Sequence, residues 1–493
     1  MSYFLLSSGL FLGWSLGAND AANIFGTAVE TKMLRFKTAA LIAAVFVVLG
    51  AVIEGSGASN TLGKLGTINT MAGSFTVALS AALAVALMTK LKLPVSTSQA
   101  IVGAIVGWNF FSGSVTDINS LTKIVGTWII CPILSALIAI VLYKLFTFLL
   151  KHAKIHLLDL DAYTRIGLII AAAFGSYSLG ANNIANVMGV FTNSSPFHDI
   201  NVYGFFTISS TQILFFFGGI AIGVGIFTYS HKVIKTVGKS LFKLSPISAL
   251  IVVLSQSIVL YLFASDEIRT ALISLGLPKY PLVPVSSSQA VIGAILGIAL
   301  AKGGRNIKFN VLGKISSGWI TTPLIAGFIS FVALFFVQNV FDQKVYHKIP
   351  YSFSPTVMQK IEKEQFPVDK ITQFEGSRFS TALQLQQSLK KIKGLTPEER
   401  KLIYTYTKVD SFYVNKKFFN QIYNENVISE EQFTTLKKLQ GKTFAHQWSF
   451  FETLQELSDD WRYREPDEKD YLDYNKKLAL QYDFISEYFR KNQ

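Results

Sequence analysis

Two short polar motifs, each occurring twice in the same order inside apolar surroundings, constrain this chain more than any other feature. Gly17-Ala18-Asn19-Asp20-Ala21-Ala22-Asn23 returns 163 positions later as Gly180-Ala181-Asn182-Asn183-Ile184-Ala185-Asn186. Pro94-Val95-Ser96-Thr97-Ser98-Gln99-Ala100 returns 190 positions later as Pro284-Val285-Ser286-Ser287-Ser288-Gln289-Ala290. Weaker echoes run in register: Thr61 to Lys64 with Thr236 to Lys239, and Trp128 to Pro132 with Trp319 to Pro323. Four matches in one order imply a duplicated unit, and each half must bury the same polar pattern.

The matrix around the motifs is apolar. Runs at 3–17, 38–56, 72–89, 97–111, 124–150, 163–179, 203–228, 246–264, 285–301 and 315–341 are separated by short Gly-, Ser- or Lys-bearing pieces. A helix needs about 20 such residues to cross a bilayer. The runs at 97–111 and 285–301 are shorter, and each follows a proline, so they are expected as re-entrant hairpins or halves of broken helices. The predicted fold is an all-α polytopic membrane protein of two repeats, residues 1–160 and 161–343. Past residue 346 the composition turns polar, and 350–493 reads as a mostly helical soluble domain. Thr396 with Glu399, and Ser429 with Gln432, are expected helix starts there.

Charge and cysteine usage narrow the class. The net charge is +14, and most of it falls on the apolar part in clusters between runs, such as Lys32, Arg35 and Lys37. That is the pattern of loops flanking membrane spans, not of a nucleic-acid surface. It implies a multi-pass cell-membrane protein in contact with lipid, its C-terminal domain expected in the cytoplasm. The single cysteine, Cys131, excludes a disulfide framework and reads as a packing residue. His152 and His156 stand one turn apart with no further ligands, a bland interfacial pair. No nucleophile with a base and no metal cluster points to an enzyme, and no cofactor is implied. The apolar N-terminus lacks a basic start and reads as a membrane segment, not a removed signal.

The motifs carry the chemistry. Glycine and Asn or Asp inside an apolar run are expected to loosen the helix. Asp20 is a carboxylate at membrane depth, and such a residue is functional by default. Asp20 with Asn19 and Asn182 is expected to offer oxygens to Na⁺, or Asp20 to relay H⁺. Proline followed by hydroxyls starts a new helix, with Ser96, Thr97 and Ser98 at one N-terminus and Ser286, Ser287 and Ser288 at the other. Unpaired N–H groups and the helix dipole make such an N-terminus an anion site. Gln99 and Gln289 extend it. No Lys or Arg lies inside any motif, so a bound anion would be balanced by dipoles and co-bound cations. Each charge crossing costs about 2.3 kcal/mol per 100 mV, which favours symport of a multivalent anion with cations. Glu54, in Val52-Ile53-Glu54-Gly55, is a further coupling candidate.

These motifs resemble those of the inorganic phosphate transporter (PiT) family over residues 1–342. The resemblance implies two inverted repeats around a central phosphate site, with Na⁺ or H⁺ coupling. It makes Asp20, Asn23, Asn183, Asn186, Ser96, Thr97, Ser98, Ser286, Ser287 and Ser288 the expected site. Two positions depart from the family pattern: Asn183 stands where aspartate is usual, and Gln99 where histidine is frequent. A sulfate or other oxyanion permease is the alternative within transport. A membrane receptor with a cytosolic output domain is the alternative outside it. Phosphate, the coupling cation, lipid and a second copy of the chain are the expected partners.

Overall fold

The computed structural model describes residues 2–30, 32–90, 95–153, 155–202, 206–231, 245–304, 309–364, 366–392, 394–425, 427–465 and 471–490. Pro94 and the Thr236–Lys239 echo lie outside them. By their contacts the described residues form two compact units, one of 1–112 and 116–346, the other of 113–115 and 347–493.

The first unit is built from helices. In chain order they are α1 (Ser2–Leu5), α2 (Ser7–Glu30), α3 (Phe36–Glu54), α4 (Ser56–Leu65), α5 (Met71–Lys90), α6 (Thr97–Ser112), α7 (Ile118–Ala153), α8 (Leu157–Met188), α9 (Ser210–Thr228), α10 (Pro246–Ala264), α11 (Asp266–Ser274), α12 (Ser287–Ala301) and α13 (Phe309–Asn339). Seven of the described helices are long and apolar enough to cross a membrane. Their outer faces are greasy at helical spacing. Leu41, Val45, Leu49 and Ile53 form an exposed stripe on α3, and Ile130, Ile133, Leu137, Val141 and Leu145 form one on α7. Stripes of this length would be costly in water and suit lipid.

As the sequence reading expects, α6 and α12 are half-length helices of 16 and 15 residues. The Gly-Ala-Asn segments behave differently from expectation. Both are helical throughout, Gly17–Asn23 inside α2 and Gly180–Asn186 in the last turns of α8. Their glycines serve contact, not a break. A Cβ on Gly17 would lie 2.0 Å from the Ile222 carbonyl oxygen on α9, and one on Gly180 would lie 2.1 Å from the Val47 oxygen on α3. The breaks occur elsewhere: α3 gives way to α4 at Gly55, and α10 to α11 at Ser265. The run at 203–228 is also helical only in part, since Ile200–Val202 and Phe206–Ile208 pair as a hairpin and Ser209 caps α9.

The two halves interlock through matched contacts. Helix α6 of the first half packs on α13 of the second, and α12 of the second packs on α7 of the first. At the crossings a Cβ on Gly103 would sit 2.0 Å from the oxygen of Pro323, and one on Gly293 would sit 2.1 Å from that of Pro132. The Trp128–Pro132 and Trp319–Pro323 echoes therefore mark the seats of the two short helices. Cys131 is buried there as expected, its thiol 3.7 Å from the Ser286 carbonyl. His152 bonds the Phe148 carbonyl and His156 caps α8, so the histidine pair is local structure.

The second unit is mostly helical, with two antiparallel strand pairs, Tyr351–Ser352 with Arg378–Phe379 and Phe412–Tyr413 with Thr443–Phe444. Thr396 and Ser429 each close a reciprocal capping box, with Glu399 and Gln432. Those boxes stand 33 positions apart, and so do the buried pairs Leu389 and Ile422, Leu395 and Ile428, and Ile403 and Leu436. A strand-helix-helix unit is thus used twice.

Candidate functional site

The four motifs meet. Every Pro-Val-Ser hydroxyl and the Asn182, Asn183 and Asn186 amides are buried, and Asp20 is only 4% exposed. Serine N-caps start both short helices: the Gln99 N–H donates to Ser96 Oγ and the Gln289 N–H to Ser286 Oγ, each at 3.3 Å. Each cap takes up the glutamine N–H, and the other first-turn N–H groups of α6 and α12, with the helix dipoles, favour an anion at the two helix starts.

Two helices carry the polar side chains to those openings. From α2, Asp20 accepts from Ser287 Oγ at 2.6 Å. From α8, Asn182 clamps the backbone of Val285: its Nδ2 donates to the Val285 oxygen at 2.8 Å, and its Oδ1 accepts from the Val285 N–H at 3.0 Å. One turn on, Asn186 donates to Ser98 Oγ at 2.8 Å and to Asn183 Oδ1 at 2.9 Å. Ser98 in turn donates to the Val285 oxygen at 3.2 Å. These bonds fix the sense of each amide, because a carbonyl oxygen can only accept. Asn186, Ser98, Val285 and Asn182 form one chain of hydrogen bonds, and it ties the loop of the first half to the loop of the second.

What remains unpaired is informative. The buried oxygens of Gln99, Gln289 and Asn186 have no protein partner, nor has the Asn183 amide nitrogen. Each orphan costs about 1–3 kcal/mol. The Asn186 oxygen suits a bound cation or a protonated anion, Asn183 and the helix N–H groups suit an anion's oxygens, and the Gln99 and Gln289 amides, which no protein bond orients, can turn either atom to a ligand.

Some expected residues stand apart. Asn19 turns to Ser15 and Thr89 on α5, donating to the Ser15 oxygen at 3.1 Å and to Thr89 Oγ1 at 3.4 Å. Asn182 spends both amide atoms on Val285. The structure therefore does not gather Asp20, Asn19 and Asn182 as one cation triad. The Asn23 side chain is half-buried, and its backbone oxygen receives Gln256 Nε2 at 2.6 Å. Glu54 lies at the α3–α4 break, where Tyr261 and Ser265 donate to it at 3.4 and 3.2 Å, outside the network. Gln256 was missed in the sequence, although a lone amide within the apolar run 246–264 is the same kind of signal as Asp20.

The model of the phosphate transporter family matches residues 16–278 and 270–455. The chain belongs to the phosphate transporter family. A protein of Methanocaldococcus jannaschii described as a candidate phosphate permease is 28% identical over 323 residues, covering 65% of this chain and 93% of the relative. The inorganic phosphate transporter 2-1 of Arabidopsis thaliana, a chloroplastic protein, is 23% identical over 423 residues, covering 65% of this chain and 70% of the relative. A solved structure described as the sodium-dependent phosphate transporter shares the fold, with a TM-score of 0.54 and 22% identity over 68% of this chain and 98% of that one. The family and the seven apolar helices make this a multi-pass membrane protein.

Proposed function

We propose that this protein imports inorganic phosphate by symport with a cation, Na⁺ or H⁺. The observation that carries the reading is that both short-helix N-termini meet buried polar side chains, the α8 amides through one chain of hydrogen bonds and Asp20 through Ser287, with orphaned amide atoms beside them. The oxyanion would lie against the N–H groups and hydroxyls of Ser96–Ser98 and Ser286–Ser288, with Asn183 Nδ2 as a further donor. Cations would satisfy the acceptors and cancel the anion's charge, which the absence of Lys and Arg from the motifs requires.

Relatives named for phosphate support phosphate over sulfate. So does chemistry: phosphate near neutral pH keeps a proton and can donate to a side-chain oxygen, whereas sulfate offers acceptors only. The matched contacts of the two halves support the view that they are inverted repeats, each short helix serving as a hairpin that meets the other near mid-membrane.

The test is radiolabelled phosphate uptake into proteoliposomes with unlabelled sulfate as competitor. Phosphate should accumulate, and an excess of sulfate should leave it nearly unchanged. Asp20→Asn should abolish coupled uptake in a protein that still purifies as a monodisperse species. Equal competition by sulfate would replace phosphate with a broader oxyanion substrate. Wild-type uptake by the Asp20 variant would remove that carboxylate from the mechanism.

A further inference from the structure

Gln256 lies in the middle of α10, fully buried, and no motif includes it. Its Nε2 donates to the Asn23 carbonyl at 2.6 Å, which fixes the sense of the amide. Its Oε1 is left buried without a protein partner. Asn23 stands three residues past Asp20, on the same face of α2. Asp20 in turn holds Ser287 at the head of α12, and α12 packs on α10. Helices α2, α10 and α12 pack on one another, and the orphaned Gln256 oxygen is held against α2 at Asn23, one helical turn from the Asp20–Ser287 pair.

The duplication gives this amide to one half alone. Leu79-Ser80-Ala81 on α5 corresponds to Leu254-Ser255-Gln256 on α10. In this alignment, which keeps the 175-position spacing of the Thr61 and Thr236 echoes, Ser80 and Ser255 coincide, and each donates to the carbonyl four residues back at 2.7 Å. Where the second half has Gln256, the first has Ala81.

We propose that Gln256 Oε1 is a ligand of a Na⁺ subsite completed by the Asp20 carboxylate and the Ser287 hydroxyl. This rests on the cation-symport reading and names its ion. Hard oxygen donors with one negative charge suit a small monovalent cation. A proton has no use for an amide oxygen, which is a very weak base, so the orphaned carbonyl favours Na⁺ over H⁺ as the occupant.

Wild-type protein, Gln256→Leu and Gln256→Glu are compared in two measurements. One is the Na⁺ concentration giving half-maximal phosphate uptake in proteoliposomes. The other is the Na⁺-induced rise in melting temperature of the purified full chain without phosphate. Gln256→Leu should raise the Na⁺ requirement about tenfold, as losing about 1.4 kcal/mol of binding would. It should leave the phosphate half-saturation at saturating Na⁺ unchanged. Gln256→Glu loses the bond to the Asn23 carbonyl and should melt lower without Na⁺, yet its carboxylate should lower the Na⁺ requirement and enlarge the Na⁺-induced melting shift, and it decides the matter if the leucine variant does not fold. An unchanged Na⁺ requirement in both variants, with uptake still Na⁺-driven, overturns the role of Gln256 and leaves phosphate symport standing. Uptake driven by a pH gradient alone overturns the Na⁺ subsite. If the wild type carries no phosphate, the transport reading fails, and the Na⁺-induced melting shift alone then upholds or overturns the subsite.

Discussion

Asn182→Asp separates a structural clamp from a cation ligand. In the wild type, the Val285 N–H has Asn182 Oδ1 as its partner at 3.0 Å, while the Val285 oxygen receives both Asn182 Nδ2 and Ser98 Oγ. Asn182→Ala orphans the buried N–H but leaves the oxygen its bond from Ser98, a cost of about 1–3 kcal/mol. That corresponds to weakening the ordered loop by about 5- to 150-fold. The aspartate keeps the bond to the N–H but sets a second oxygen against the Val285 oxygen, and adds a buried charge worth about 3–5 kcal/mol when uncompensated. The aspartate should therefore be the worse of the two variants. The assay is phosphate half-saturation in proteoliposomes across a Na⁺ series, with the melting temperature of the purified protein measured alongside. In the order wild type, alanine, aspartate, the phosphate half-saturation should rise and the melting temperature should fall. A Na⁺ ligand would respond the other way, since a carboxylate binds cations better than an amide. Tighter Na⁺ dependence in Asn182→Asp would refute the clamp.

Other perturbations probe the packing and the second unit. Gly103→Ala and Gly293→Ala should each destabilise the protein by about 1–3 kcal/mol, read as a lower melting temperature, because a backbone carbonyl occupies the space each Cβ would take. Wild-type melting in both would mean the crossings are looser than described. In the second unit, Lys370 and the Thr396 N–H hold the Glu399 carboxyl below its ordinary value of 4.5. The folded form favours the ionised acid, so this stabilisation is complete above pH 4.5 and fades as pH falls through the lowered value. Glu399→Gln should remove that part of the acid sensitivity of helix Pro397–Thr407, followed in the full chain by hydrogen exchange pulsed at one fixed pH after incubation at several.

Much of the molecule is legible from local signals. Apolar runs mark the helices, a proline before hydroxyls marks the two short helices and their serine caps, and Thr396 and Ser429 mark capping boxes. Tertiary relations are less visible. Gly17 and Gly180 look like helix breakers by propensity, yet each is where another helix backbone comes within contact, and no local pattern distinguishes the two roles. Asn19 and Asn182 occupy equivalent motif positions with opposite fates. One meets Thr89 on α5 and the other meets Val285, because the environments of the two halves have diverged. Gln256 carries no motif, and its importance appears only once α10 is set against Asn23.

Phosphate accumulation in proteoliposomes under separately imposed Na⁺ and pH gradients tests the central claim most directly. Uptake above equilibrium, driven by an inward cation gradient and collapsed when that gradient is dissipated, is the predicted result. Phosphate that merely equilibrates across the bilayer under every gradient would contradict a site in which cations neutralise the buried anion.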